Sequence, residues 1–297
     1  MLALLAMAAM FGYVGLASGE RSPASAEIAT PIPSPPPVAV ASPPIEEMPA
    51  GEEPAPDSVA AGPATEPVTA TATAETALDG LRDALTSIQC ADLRADVVND
   101  ALIVAGTVTS TDDHDRVLEI VGALPSGMAR APEVDIAPPA LCEPLLLLEP
   151  LRTANQARGE PLVLAVASGD TALTGGQDLV LNIRAGHIAG HVQVDYFTVD
   201  GSVVHLLPNP LEPTARLTAG TERRLGERDG RTRFWTIGPP FGRELIVVVA
   251  SSSPLFSTLR PETEPAASYL PELKRALAGA GAEDAVAAVL FIATRAR

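Results

Sequence analysis

Aromatic residues are scarce in this chain: one tryptophan (Trp235), three tyrosines and six phenylalanines among 297 residues. So few rings leave little to stack on bases or sugars. Positive charge is also short, with 20 Lys and Arg against 37 Asp and Glu and a net charge of −17. Binding a phosphate backbone takes clustered Lys and Arg that release counterions, and an anionic membrane surface asks for the same kind of patch. The charge balance argues against both partners. Only two cysteines are present, Cys90 and Cys142, too few for a structural zinc site. In an oxidising compartment such a pair joins as one disulfide, which stabilises by roughly 3–4 kcal/mol for a loop of this size. The alternative is two small buried thiols. Catalytic signatures are missing too. There is no Gly-rich loop with Val-Ala-x-Lys, no His-Arg-Asp, no Asp-Phe-Gly and no Gly-x-Ser-x-Gly elbow.

What is present divides the chain into four parts. Residues 1–19 form an apolar segment, with Leu2 to Ser18 uninterrupted by a charge. Its length lies at the lower edge of a bilayer span and also suits the apolar region of a secretion signal. Both readings send the rest of the chain across a membrane, and an uncleaved anchor is the preferred one. No cysteine follows, so a lipid-modified anchor is not expected. Residues 20–75 are acidic and proline-rich: thirteen of the 29 prolines fall here, with nine acidic residues against one arginine. The stretch has no apolar periodicity with which to offset ordering entropy, and it reads as a disordered linker. It would reach roughly 170 Å as polyproline II and nearer 40 Å as a flexible coil.

Order resumes at residue 76. Leu78, Leu81, Leu85 and Ile88 fall at helical spacing. Two alternating runs, Leu93-Ala95-Val97 and Leu102-Val104-Gly106-Val108, flank Asn99-Asp100 as a hairpin. Ser110 to Asp113 supplies helix-start residues ahead of the apolar face Val117, Ile120, Val121 and Leu124, and Glu133 to Ile136 adds a short strand. This α-β-β-α-β order, with Val98–Val108 reading VNDALIVAGTV, resembles the BON family of small bacterial envelope domains over residues 76–138. The resemblance implies envelope-associated binding, not catalysis. Cys90, ahead of the first strand, departs from the family pattern.

Residues 138–161 read as a connector in which Leu145 to Leu148 are bounded by Pro144 and Pro150. Strands are expected at 162–167, 178–183, 191–199, 202–207 and 245–251, a short amphipathic helix near 269–277, and a buried last strand at 286–294. Many short strands with Gly and Pro turns indicate a β-sandwich-like domain over 142–297, and the chain as a whole is α+β. Val192–Pro210 (VQVDYFTVDGSVVHLLPNP), a Gly220-containing turn, Phe241–Phe256 (FGRELIVVVASSSPLF) and the later YLPELKRAL together resemble the bacterial family called domain of unknown function 4384. Members of that family accompany bacterial Ser/Thr kinases or caspase-like proteins as accessory modules. The resemblance implies a kinase that is absent, upstream of Met1 or a separate chain.

Several residues are weighed as sites. His187 and His191 are four apart, but the glutamate of a His-Glu-x-x-His motif is missing and the region is Gly-punctuated. They read as turn histidines, and no metal or other cofactor is expected. Counting outward from an Asp200-Gly201 turn pairs Val199 with Ser202, which makes Asp195 and His205 diagonal neighbours. Together with one of Ser251, Ser252 and Ser253 they would give a hydrolase; alternatively they are a cross-strand polar pair that fixes register. Asn209 ends a strand and is either a partner ligand or an ordinary turn residue. Arg223, Arg224, Arg228, Arg231 and Arg233 are the only basic cluster. With Trp235 beside it, the cluster suits an acidic ligand through bidentate contacts and stacking; the alternative is a solvated hairpin balanced by Glu222, Glu227 and Asp229.

The sequence therefore leads to a non-enzymatic binding or sensing module, extracytoplasmic at a bacterial cell membrane, or periplasmic or secreted if the first segment is cleaved. Its expected partner is an envelope protein or acidic ligand, with a link to a Ser/Thr kinase system or to envelope assembly, and no nucleic acid. Competing readings are the hydrolase and a structural envelope spacer.

Overall fold

The computed structural model describes residues 68–99, 101–125, 131–159, 161–279 and 284–297. The expected anchor, residues 1–19, and the linker as far as residue 67 lie outside them. Among the described residues no helix is long and apolar enough to cross a membrane.

The first helix, α1 (Val68–Leu85), begins eight residues ahead of the expected start at Thr76. Its Leu81 and Leu85, and Ile88 just beyond it, are buried. Strands β1 (Ala91–Val98) and β2 (Ala101–Val108) pair antiparallel in the expected register, Val98 opposite Ala101. Asn99 takes φ of 50°, as two-residue hairpin turns require. Helix α2 (Thr111–Gly122) is capped by Ser110, whose Oγ accepts a 3.0 Å bond from the Asp113 amide. Ser110→Ala should lower stability by about 1 kcal/mol in urea titration. Strand β3 (Glu133–Ile136) lies parallel to β2 and completes a sheet ordered β1-β2-β3. Leu102, Val104 and Val108 of β2 meet Leu81, Leu85, Val117 and Val121 in one core.

Gly106 is the position in this unit where only glycine fits. Its φ is 146°, and a Cβ there would lie 2.1 Å from the Asp92 carbonyl oxygen. Gly106→Ala is expected to cost roughly 3 kcal/mol or more, concentrated in this small domain. Hydrogen exchange should show residues 91–122 losing protection while residues 243–251 keep theirs.

A 3-10 turn, Pro139–Leu141, leads into α3 (Cys142–Gln156), so the expected connector is instead a four-turn helix. Pro144 stands in the first turn, where an amide has no intrahelical acceptor to lose. Pro150 removes the partner of the Leu146 carbonyl, and Leu146 is on the exposed side of the helix. Burial of Leu145 and Leu148 outweighs that loss.

The remaining elements are β4 (Val163–Val166), β5 (Ala172–Thr174), β6 (Leu181–Arg184), β7 (Gly190–Phe197), β8 (Ser202–Leu207), β9 (Arg216–Leu217), β10 (Glu222–Leu225), β11 (Arg243–Ser251), β12 (Thr263–Pro265), α4 (Ala266–Leu277) and β13 (Val286–Arg295). One sheet runs β12-β8-β7-β11-β13-β5, with β9 paired to β7, and a second runs β10-β6-β4. The chain is thus α+β with a mainly β C-terminal region. That region has three layers, because α3 and α4 cover the face of the large sheet turned away from the small one.

Strand β11 shows why its sequence is continuously apolar. Ile246, Val248 and Ala250 join Leu181, Ile183, Val192 and Val194 in the core between the two sheets. Leu245, Val247 and Val249 join Leu145, Leu148, Tyr269 and Leu273 in the core under the helices. A strand buried on both faces has no polar alternation to show.

The small domain is fastened to this assembly in three ways. Cys90 and Cys142 form a disulfide. The buried Arg152 guanidinium donates to the Ala91 carbonyl at 3.1 Å and to Asp92 Oδ1 at 2.7 Å. Arg243 pairs with Asp135 at 2.5 Å.

Candidate functional site

The loop between β7 and β8 is one residue longer than the sequence suggests. The Thr198 amide bonds to the Ser202 carbonyl, leaving Val199, Asp200 and Gly201 as a three-residue loop with Gly201 at φ of 82°. That extra residue moves the register, and Asp195 stands directly opposite His205 rather than diagonal to it. A bulge between Val194 and Asp195 restores the pairing further along the strand.

Both side chains point under the helices and are buried, Asp195 at 1% and His205 at 3% exposure. His205 Nδ1 lies 2.7 Å from Asp195 Oδ1, and Nε2 lies 2.9 Å from Glu264 Oε1. Asp195 also accepts from Gln193 Nε2 at 2.7 Å and from the Tyr269 hydroxyl at 2.6 Å. Glu264 is gripped by Arg260 through Nε at 2.8 Å and Nη2 at 2.6 Å, and Arg260 also pairs with Glu272. Strands β7, β8 and β12, helix α4 and the loop that carries Arg260 thus meet in one polar chain.

Burial alone would lower the His205 pKa, but the hydrogen bond and charge of Asp195, joined by Glu264, outweigh it and raise it. Burial pulls Glu264 upward, yet Arg260 and then His205 hold its carboxyl below the ordinary range. Burial, and then the Asp195 charge, push the Tyr269 hydroxyl well above its usual value, so it stays a donor. The His205 and Glu264 directions agree with each other, since each favours the charged form of a partner in the His205–Glu264 contact.

That arrangement differs from a hydrolytic triad. The nitrogen that would face a nucleophile faces Glu264 instead. Ser251 Oγ donates to the Ser253 carbonyl at 2.7 Å. His191 sits at the start of β7 with Nε2 2.6 Å from an Arg216 guanidinium nitrogen, and burial, then Arg216, lowers its pKa. His187 lies in the turn before β7.

The arginine cluster is divided among its own acidic neighbours. Arg223 and Arg224 belong to β10; the first pairs with Glu212 and the second with Glu227 at 3.0 Å. Arg228 grips Asp178 with Nε at 2.5 Å and Nη2 at 2.7 Å, and Arg233 pairs with Glu262. Arg231 has no ion pair among the described residues. Trp235 packs against the core between the sheets, and the ring under a guanidinium is Phe234, 4.0 Å below Arg228. Asn209 is buried, and its amide closes its own loop, donating to the Leu206 carbonyl at 2.9 Å and accepting from the Leu211 and Glu212 amides. It is a turn residue in this structure.

A cleft of about 290 Å³, lined in part by His191 and Ser251 from among the residues the sequence singled out, opens beside the buried network. Its walls are two loops, residues 208–215 after β8 and 251–260 after β11, and its base is His191 to Gln193 on β7. Pro208, Pro254, Phe256 and Leu259 make it largely apolar, with Thr214 and Thr258 among the polar groups of the walls. Gln193 and Arg260 line the cleft and also bond into the Asp195–His205–Glu264 chain. The cleft therefore has room for one or two side chains and a direct connection to buried charge. Arg260, Glu262 and Glu264 alternate with prolines and a threonine along the chain. That period of two was the available signal for β12 and its charged face.

Residues 173–254 match the family model described as Domain of unknown function (DUF4384). No curated protein matches the chain. The matched segment runs from β5 to just past β11, and so includes the base of the cleft, the 208–215 wall and the start of the other.

Proposed function

We propose that the chain, with residues 173–254 as its domain of this family, is a non-enzymatic binding or sensing module that works outside the cytoplasm. The observation that carries this reading is the cleft between the 208–215 and 251–260 loops, with Gln193 and Arg260 reaching from it into the buried network. Pockets that bind are concave and mostly apolar with a few placed polar groups. A partner inserting a side chain there would press on groups that are hydrogen-bonded to Asp195 and Glu264. The hydrolase reading would need His205 Nε2 to leave Glu264 and meet a serine. The disulfide supports an oxidising compartment, as does the apolar segment at residues 1–19. A link to a Ser/Thr kinase system or to envelope assembly follows from the family resemblance. The BON-like reading of residues 76–138 points to the same setting.

Self-neutralisation of Arg224, Arg228 and Arg233 moves the expected contact from the arginine cluster to the cleft. Photo-crosslinking of the full chain in its native envelope, from a reactive side chain at exposed Leu259, tests this. One adduct is expected, lost in Thr214→Trp and Thr258→Trp variants that fill the cleft and kept in Arg224→Ala/Arg231→Ala/Arg233→Ala. An adduct lost only in the arginine variant would return the site to that cluster. No adduct at all would leave the structural spacer.

A further inference from the structure

The small domain carries a second opening, of about 490 Å³, between the end of α1, the outer edge of β1 and α3. Strand β1 is an edge strand, since its sheet runs β1-β2-β3. Its hairpin closes with Val98 opposite Ala101 across two residues, which makes that pair the one exchanging both hydrogen bonds. Alternation then turns Val98, Asp96, Arg94 and Asp92 toward β2, and the amides and carbonyls of Ala91, Leu93, Ala95 and Val97 outward into the opening.

Two of those outward carbonyls are already covered, and by side chains. Arg152 Nη1 donates to Ala91 O at 3.1 Å, and Arg82 Nε donates to Ala95 O at 3.2 Å. Both guanidiniums stand where the N–H groups of an adjoining strand would stand. Arg152 is fixed by Asp92 and Glu149. Arg82 is held loosely: it is half exposed, and its ion pairs to Asp79 and Asp96 are 3.8 Å long. Between the two, no partner of the Leu93 amide or carbonyl is found among the described residues.

We propose that this edge accepts an extended peptide as an added β-strand, pairing with Leu93 to Val97 and displacing Arg82 from the Ala95 carbonyl. The ligand is a strand-forming peptide segment with one acidic side chain and one apolar side chain. The apolar group has Leu85, Ile88, Leu145 and the exposed Leu146 to cover it. The carboxylate complements Arg94, which lines the opening and has no ion pair among the described residues, whereas Arg82 and Arg152 are already paired with acidic neighbours. Residues of α1 and α3 bound the opening together with this edge. Main-chain pairing gives such a site its affinity, and the alternate side chains give it preference. The site is independent of the cleft on the C-terminal domain.

The test uses the full chain and an acetylated, amidated heptapeptide of alternating valine and threonine with one glutamate. Hydrogen–deuterium exchange across residues 91–98 should slow on adding this peptide. A lysine in place of the glutamate should weaken binding about tenfold, and Arg94→Gln should remove that preference. N-methylating alternate peptide amides should abolish binding in one register and leave it in the other, since only one set faces β1. Equal losses in both registers would overturn the proposal, as would unchanged exchange at 91–98. Protection confined to residues 208–260 would overturn it too and assign peptide binding to the other cleft.

Discussion

His205→Ala is expected to destabilise the C-terminal domain by about 3–5 kcal/mol, the cost of leaving buried charge without its partner. His205 is the one basic group bonded to Asp195, so removing it leaves that buried carboxyl with only the Gln193 and Tyr269 donors, while Glu264 keeps its bonds from Arg260. Tyr269→Phe removes one donor to Asp195 and should cost less, about 1–3 kcal/mol. Urea unfolding followed by circular dichroism measures both. A folded, fully stable His205→Ala protein would show that the pair is not structural. The pH dependence has a definite sign. His205 has a raised folded pKa, so its contribution is complete below its ordinary value of 6.5 and is lost as pH rises through the folded one. Glu264 has a lowered folded pKa, so its contribution is complete above its ordinary 4.5 and is lost as pH falls through the folded one. Stability from the network should peak between those values. The alkaline decline should be smaller in His205→Ala, leaving Glu244, a buried acid whose pKa burial raises, as a source of the remainder.

The second large effect lies in the Cys90–Cys142 bridge. It spans 52 residues of sequence, and opening it is expected to remove about 4 kcal/mol on loop entropy alone. The loss should fall unevenly. The small domain has a modest core of its own, and domains of that size sit close to the limit of independent stability. Calorimetry of the oxidised protein should give one main transition. Addition of a dithiol reductant, or Cys90→Ser/Cys142→Ser, should split off an earlier transition belonging to residues 68–136. Arg152→Met separates the covalent from the polar fastening, because it removes the bonds to Ala91 and Asp92 and keeps the bridge. Coincident melting with and without reductant would mean that the arginine and the packing already suffice.

Local sequence carried the small domain almost completely. Periodicities of 3.6 and 2, an Asn-containing two-residue turn and a serine cap each dictated their element without help from distant residues. The same holds for β8, β11 and β13, whose runs of Val, Ile and Leu leave little choice. Legibility failed where tertiary burial decided. Prolines 144 and 150 argued for a connector, but Leu145 and Leu148 bury so fully against the large sheet that a helix forms around them. Asp195 and His205 were visible as a pair, yet one additional loop residue set their register, and no local signal distinguishes a two-residue from a three-residue Asp-Gly loop here. Glu264 and Tyr269 reach the same spot from 59 and 74 residues away, and sequence order says nothing of such meetings. The arginines looked like a binding patch because two of their partners, Asp178 and Glu262, stand 50 and 29 residues away in the chain.

The bridge from Cys90 to Cys142 also fixes how the molecule would carry a pull. If the chain is held at its N-terminal side while a partner draws on the C-terminal domain, tension travels along α1, crosses the sulfur atoms and enters α3 directly. The hairpin, α2 and β3, all lying between the two cysteines in sequence, hang on a slack branch and bear none of it. The edge of β1 would keep its shape under loads that stretch everything before it. Reduction would put that branch in series with the rest and make it the first part to give way.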